Sequence, residues 1–313
     1  MIEKEKIKRY FKEYKWSNIF EMIKNNRYKP KICNEQFINK NVVITGATSG
    51  IGYFTALKYA SMGANIIAIN RSEEKSILLK NEIKERYGKD LIYFVADLTE
   101  IDQIKNATNF LLNLPKKIDV IIHNAGVYLK KRTTTTNGFE TNFVVHYLAP
   151  FIINYKLIDK LKEQKEGRII YVCSEGYRFA VWGLDFEDMQ IEKRRYSGLK
   201  AYGNAKLAQI LSMHIFAKIL SEFNVTINAM HPGAVRTNTG RENGPIYKFF
   251  KKNFLDKISL SAEVSADALY YLGVSNELEK ITDKFFNLTK IEDLTPPAKD
   301  MDEAEKLWEY TIK

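Results

Sequence analysis

The chain has 313 residues, 45% of them apolar and 27% charged, and 48 Lys/Arg against 38 Asp/Glu leave it at +10 near neutral pH. No run approaches the roughly 18 apolar residues that cross a bilayer and no hydrophobic signal core follows Met1, which argues against a membrane-spanning chain and sets the expectation of a cytoplasmic one. Two cysteines, Cys33 and Cys173, exclude a disulfide framework and fit a reducing compartment.

Residues 1–39 form a basic extension. Eleven Lys/Arg stand against five Glu over residues 1–40, a local +6. Ile7, Tyr10, Phe11, Tyr14, Ile19, Phe20 and Ile23 recur there at approximately helical spacing. A helix packed on the main domain with its lysines in solvent is expected. Contact with an anionic membrane surface, which would make the protein peripheral to a membrane, is the alternative. Nucleic acid is not expected, because basic charge without a binding module is only an electrostatic hint.

From residue 40 onward, apolar runs alternate with amphipathic segments. Strands are expected near 41–45, 65–69, 91–96, 118–123, 168–173, 225–230 and 284–286, which predicts one doubly wound parallel α/β sheet of about seven strands with helices on both faces. The first strand runs into Gly46-Ala47-Thr48-Ser49-Gly50-Ile51-Gly52 before a helical stretch from Tyr53 to Ser61. Glycines there let the backbone bend and a pyrophosphate approach, and the opening helix offers free N–H groups and a positive dipole end. The second strand ends in Asn70-Arg71, the third is followed by Asp97-Leu98, and the fourth ends in Asn124-Ala125-Gly126. The fifth strand carries Ser174 at its C-terminal end, where open α/β sheets place their ligands, although such a serine also caps turns. Cys173 beside it is expected to be a small buried apolar residue.

Tyr202-Gly203-Asn204-Ala205-Lys206 sets a phenol and an ammonium one helical turn apart on one face. A tyrosine titrates near pH ~10, and a cation beside the phenolate lowers that value, so the pair can act in proton transfer at neutrality. The sixth strand then leads into His231-Pro232-Gly233-Ala234-Val235-Arg236-Thr237.

In order and separation, Thr45 to Gly52, Asn124-Ala125-Gly126, Ser174, Tyr202/Lys206 and Pro232-Gly233 resemble the short-chain dehydrogenase/reductase family. Gly138-Phe139-Glu140-Thr141, Phe186-Glu187-Asp188, Ala201-Tyr202 with Lys206-Leu207-Ala208, His231 through Thr237 and the late Leu307-Trp308 are similar to its retinol dehydrogenase and WW-domain oxidoreductase branch. The resemblance covers roughly Lys40 to the C-terminus, so residues 40–313 are expected to form one catalytic domain. It implies a nicotinamide cofactor held by Gly46, Thr48, Ser49, Gly50, Ile51, Gly52, Asp97, Leu98, Asn124, Ala125, Gly126, Tyr202, Lys206, Pro232, Gly233, Val235 and Thr237, and no metal. It also implies that Tyr202 exchanges a proton with the substrate oxygen, Ser174 holds that oxygen, and Lys206 binds ribose and tunes the phenol.

Asp97 has the alternative role of a helix N-cap. At the end of the second strand an acid would favour NAD and repel an added phosphate, whereas Arg71, with Asn70 assisting, favours NADP(H). The position at which the resemblance implies a relay asparagine falls on His146, with Asn142 one turn earlier. His146 is then either a water-holding or proton-carrying relay residue or a partly buried structural one. Phe179, Val181, Trp182, Leu184 and Phe186 are candidate walls of a substrate pocket. Residues 238–260 sit where the family carries a mobile lid, and their aromatic content suggests an apolar alcohol or carbonyl substrate: a retinoid, steroid, lipid aldehyde or xenobiotic carbonyl. A homodimer is compatible with all of this. Two readings stay open, an NADP(H)-dependent carbonyl reductase or alcohol dehydrogenase and a nucleotide-binding regulatory or scaffold protein with vestigial catalysis, and retention of Ser174, Tyr202 and Lys206 favours the enzyme.

Overall fold

The computed structural model describes residues 4–14, 29–233 and 261–313. In it the apolar runs form one eight-stranded sheet: β1 (Asn41–Thr45), β2 (Asn65–Asn70), β3 (Leu91–Val95), β4 (Val120–His123), β5 (Gly167–Val172), β6 (Val225–His231), β7 (Phe285–Asn287) and β8 (Lys290–Glu292), in the order β3-β2-β1-β4-β5-β6-β7-β8. The first seven pair in parallel, and β8 turns back antiparallel on β7. Seven strands were expected. The eighth escapes because a three-residue Lys-Ile-Glu strand carries almost no periodic signal. Its hairpin turn also lacks the usual glycine or asparagine, and Leu288 itself adopts the left-handed conformation at φ 54°.

Helices α1 (Lys4–Glu13), α2 (Gly50–Ser61), α3 (Glu73–Tyr87), α4 (Ile101–Leu112), α5 (Ala149–Gln164), α6 (Gly198–Leu220), α7 (Ala262–Val274) and α8 (Met301–Ile312) surround the sheet. Side chains alternate across a strand, so β1 sends Val43 to one face and Val42 and Ile44 to the other. Val43 joins Ile121 and Ile169 under α4, α5, α6 and α8, while Val42 and Ile44 join Ile122 and Ile170 under α2, α3 and α7. Burial on both faces explains why these strands read as unbroken apolar runs. Trp308 of α8 packs its ring 5.0 Å from those of Phe151 and Phe216, tying the C-terminal helix to α5 and α6.

The described parts of the basic extension lie against the domain. Tyr10 of α1 is fully buried and donates to Asp300 Oδ2 at 2.6 Å or Glu303 Oε2 at 2.7 Å, while Lys6 pairs with Glu303. Lys4, Lys8 and Lys12 remain exposed, as does Phe11. Ile19, Phe20 and Ile23 lie outside the described residues. Across the opposite face, Cys33 is buried and Phe37 sets its ring edge-on to Tyr59. Among the described residues no helix is long and apolar enough to cross a membrane.

Strand order reverses between β1 and β4, and in such sheets a crevice opens beyond the C-terminal ends of the strands at that reversal.

Candidate active site

A cleft of about 440 Å³ occupies that crevice. Its floor is the glycine turn. Gly46 and Gly50 hold φ of 69° and 56°, where a side chain is strained. Gly52 does not line the cleft: a Cβ there would stand 2.2 Å from the Gly46 carbonyl oxygen and 2.4 Å from Asn124 Nδ2, so it permits close packing beneath the turn. Asn124 Nδ2 donates to the Thr45 and Gly46 carbonyls at 3.0 Å, and Thr45 Oγ1 accepts from the Asn124 and Ala125 amides. Ser49 is the N-cap of α2 and its hydroxyl makes no capping bond, so it and Thr48, Gly50 and Ile51 face the cleft.

Arg71 and Lys75 line the end of the cleft beside β2, with Asp97 and Leu98 across from them. Lys75, not anticipated from sequence, stands on the first turn of α3 behind its N-cap Ser72. Asn70 corrects an expectation. Its amide is fully buried, accepting from Ala47 N at 2.8 Å and donating to Ser76 Oγ at 3.0 Å, so it braces the turn and is not available to a phosphate. Asp97 is not a helix N-cap either, since Glu100 holds that position on α4; Asp97 Oδ1 instead accepts from the Thr99 amide and hydroxyl at 2.9 Å.

The other end of the cleft gathers Ala125, Gly126, His146, Ser174, Tyr202, Lys206, Pro232 and Gly233. Ser174 Oγ accepts from the Gly176 amide at 3.0 Å, so it caps the 3-10 turn Glu175–Phe179 and lines the cleft at once. Lys206 is buried, and its ammonium donates to the Val172 carbonyl at 2.8 Å and to Gln209 Oε1 at 3.1 Å. It lies 5.9 Å from the Tyr202 ring centre. A phenol pulled below its ordinary value was expected from this pair. Instead burial dominates, pushing the Tyr202 phenol up while Ser174 opposes that shift, and pushing Lys206 down to about 8. The phenol therefore stays protonated through neutral pH, the form that can donate to a carbonyl oxygen.

Three residues hold the phenol ring in place. His146 meets it edge-on at 5.1 Å, Tyr128 at 5.6 Å, and a Cβ on Gly176 would come within 2.7 Å of its Cε1. Tyr128 and Gly176 were missed in the sequence because neither belongs to a recognisable spacing; each matters only through its approach to Tyr202.

His146 lies on a single π-turn, Val144–Leu148, between the helical turn Thr141–Phe143 and α5. Its Nε2 stands 2.6 Å from the Val127 carbonyl oxygen, to which it donates in one tautomer, and 3.2 Å from the Val127 amide, from which it accepts in the other, while Nδ1 is buried without a partner. Burial first, and then the charge of Lys206, holds its pKa well below the usual histidine range. That burial opposes the imidazolium form and favours the water-holding role over the proton-carrying one. Asn142 is also buried, but its amide is turned to Glu140 Oε1 at 2.7 Å and the Tyr196 hydroxyl at 3.1 Å. His146→Leu should lower kcat about tenfold or more with nucleotide affinity preserved, and His146→Asn should recover much of the rate by restoring a polar contact to Val127. Steady-state kinetics with thermal melts decide this. A Leu variant that melts earlier but turns over normally when folded would make the residue structural only.

Leu184 and Phe186 do not wall the cleft as expected. Leu184 is buried in the core under α6 and α8, and Phe186 packs edge-on to Tyr310 of α8. Phe179 and Trp182 are exposed and Val181 is half-buried, and none of the three lines the cleft either. Val235, Thr237 and the lid expected at 238–260 lie outside the described residues.

These features fit a dinucleotide: a glycine cradle that Cβ atoms would fill, cations at one end, and a protonated phenol beside an ammonium at the other. The family described as short chain dehydrogenase matches residues 40–183. The chain is 34% identical to retinol dehydrogenase 13 of Homo sapiens over 277 residues, 86% of this chain and 82% of that protein. It is 33% identical to retinol dehydrogenase 14 of Mus musculus over 289 residues, 87% of this chain and 84% of that protein. Among solved structures, a short-chain dehydrogenase from Sphingobium yanoikuyae in complex with NADPH shares the fold, with a TM-score of 0.60 and 20% identity over 74% of this chain and 83% of that one.

Proposed function

The chain belongs to the short-chain dehydrogenase/reductase family, in its retinol dehydrogenase branch, and from that premise we propose that it is an NADP(H)-dependent oxidoreductase that interconverts apolar carbonyls and their alcohols with Tyr202 as the acid/base. Membership makes it an oxidoreductase of CH–OH and C=O groups that uses a nicotinamide nucleotide. The observation that carries the finer reading is the grouping of Ser174, a protonated Tyr202 and Lys206 at one end of the cleft whose other end holds Arg71 and Lys75.

When bound, the nicotinamide supplies the hydride exchanged with the substrate carbon. The chain supplies the proton and the positioning. Ser174 Oγ accepts from Gly176 N and is hydrogen-bonded to the Tyr202 phenol, so a substrate oxygen set between the two would take the Ser174 O–H as its second donor. In the reducing direction Tyr202 gives that oxygen its proton, and Lys206, one turn away, stabilises the phenolate left behind. In the oxidising direction the same phenolate takes the proton back. Arg71 and Lys75 would hold the 2′-phosphate of NADP(H), with no acid at the end of β2 to repel it. An apolar substrate is supported by the relatives named as retinol dehydrogenases.

NADPH is expected to bind at least about tenfold more tightly than NADH, roughly 1.4 kcal/mol, a reasonable yield for one charge-assisted phosphate contact. Arg71→Asp should reverse the order. Fluorescence titration of both nucleotides tests this, and equal affinities in the unmodified protein would refute the assignment.

A further inference from the structure

Gln209 stands out on α6. It is 1% exposed, and Leu207, Ala208, Ile210, Leu211 and Met213 around it in sequence are all buried apolar residues. Burying an uncharged amide in such surroundings is costly unless it is hydrogen-bonded. Its oxygen accepts from Lys206 Nζ at 3.1 Å, one turn back on the same helix.

The Lys206 ammonium has three donors. The Val172 carbonyl takes one at 2.8 Å and Gln209 Oε1 takes another. Both acceptors are neutral. The titratable groups that face this ammonium among the described residues are Tyr202 on its own helix, Cys173 at the end of β5 and His146 on the π-turn. None is a carboxylate. A carboxylate at position 209 would draw the ammonium into an ion pair, and an apolar side chain would leave Val172 as its sole acceptor of the two.

We propose that Gln209 is a positioning residue: with the Val172 carbonyl it clamps the Lys206 ammonium by neutral contacts, keeping it charged and directed toward Tyr202 and the nucleotide. This rests on the role assigned to Lys206 above. Gln209 lies on α6 with Lys206, and Val172 ends β5, so the bond from the ammonium to Val172 also ties the helix that carries the phenol to the strand that leads into Ser174.

The test is a pH titration of cofactor-free protein labelled with [ε-13C]lysine, with the Lys206 resonance assigned by its loss in Lys206→Met. The unmodified protein should titrate well below an ordinary lysine, since burial lowers this group to about 8. Gln209→Glu should raise the midpoint by about one unit or more, because an adjacent carboxylate favours the charged form. Gln209→Leu, close in size and apolar, should lower it and weaken NADPH binding at pH 8 by about tenfold, as more of the lysine becomes neutral. Opposite shifts in the two variants support the clamp, and a purely structural glutamine would not produce them. Unchanged or same-direction midpoints would overturn it. Opposite shifts with kcat and NADPH affinity unaltered would retain the clamp and refute the role given to Lys206, so the two failures are separable.

Discussion

Tyr202→Phe will lower kcat for carbonyl reduction by roughly 10²- to 10⁴-fold, the usual range for a lost general acid, while NADPH affinity stays within a few fold. The substitution removes one oxygen. The ring keeps its edge-on contacts with Tyr128 at 5.6 Å and His146 at 5.1 Å, and Lys206 keeps its hydrogen bonds to Val172 and Gln209. A fall in kcat without a fall in binding therefore isolates proton transfer. Lys206→Ala should differ by harming both, since it removes the cation from phenol and nucleotide together. If Tyr202→Phe retained most of its kcat on a verified substrate, another group would be the acid.

The second large effect is expected at a residue that never touches the ligand. Gly52→Ala would place a methyl 2.2 Å from the Gly46 carbonyl oxygen and 2.4 Å from Asn124 Nδ2. Gly46 is backbone, and Asn124 is held by two hydrogen bonds of its own, so neither can yield by a rotamer change. Overpacking of this kind costs about 1–3 kcal/mol or more, and here the displaced backbone is the phosphate cradle itself. NADPH affinity should fall by more than about tenfold, and Tm by about 5 °C. Fluorescence titration and thermal unfolding check both. A variant that binds and melts like the parent would show that α2 can pack against the turn without this close approach.

The parallel sheet was legible because its strands are buried on both faces and so appear as unbroken apolar runs; β8, short, polar at both ends and joined by a turn without glycine, was not. The residues of the cleft were legible as identities, and the structure brings Ser174, Tyr202, Lys206 and His146 to one end of it. Their electrostatics were not. The Tyr-x-x-x-Lys spacing argues for a lowered phenol, but the dominant effect is burial, in a site where Tyr128, His146 and Gly176 approach the ring from three separate segments. Asn70 shows the same limit: its position at the end of β2 suggested a ligand contact, yet its amide is consumed by Ala47 and Ser76. Leu184 and Phe186 looked like pocket walls until α8 covered them, a contact between segments more than a hundred residues apart that no local pattern encodes.

The most direct test of the whole account uses NADPH deuterated at the reactive carbon of its nicotinamide, mixed with the unmodified protein and a panel of apolar aldehydes and ketones that includes retinal, a steroid ketone and a long-chain aldehyde. Nucleotide oxidation should be matched one for one by alcohol carrying deuterium on the former carbonyl carbon, with none formed by Tyr202→Phe above the residual rate expected of it. Tight NADPH binding with no transfer to any member of the panel would contradict it.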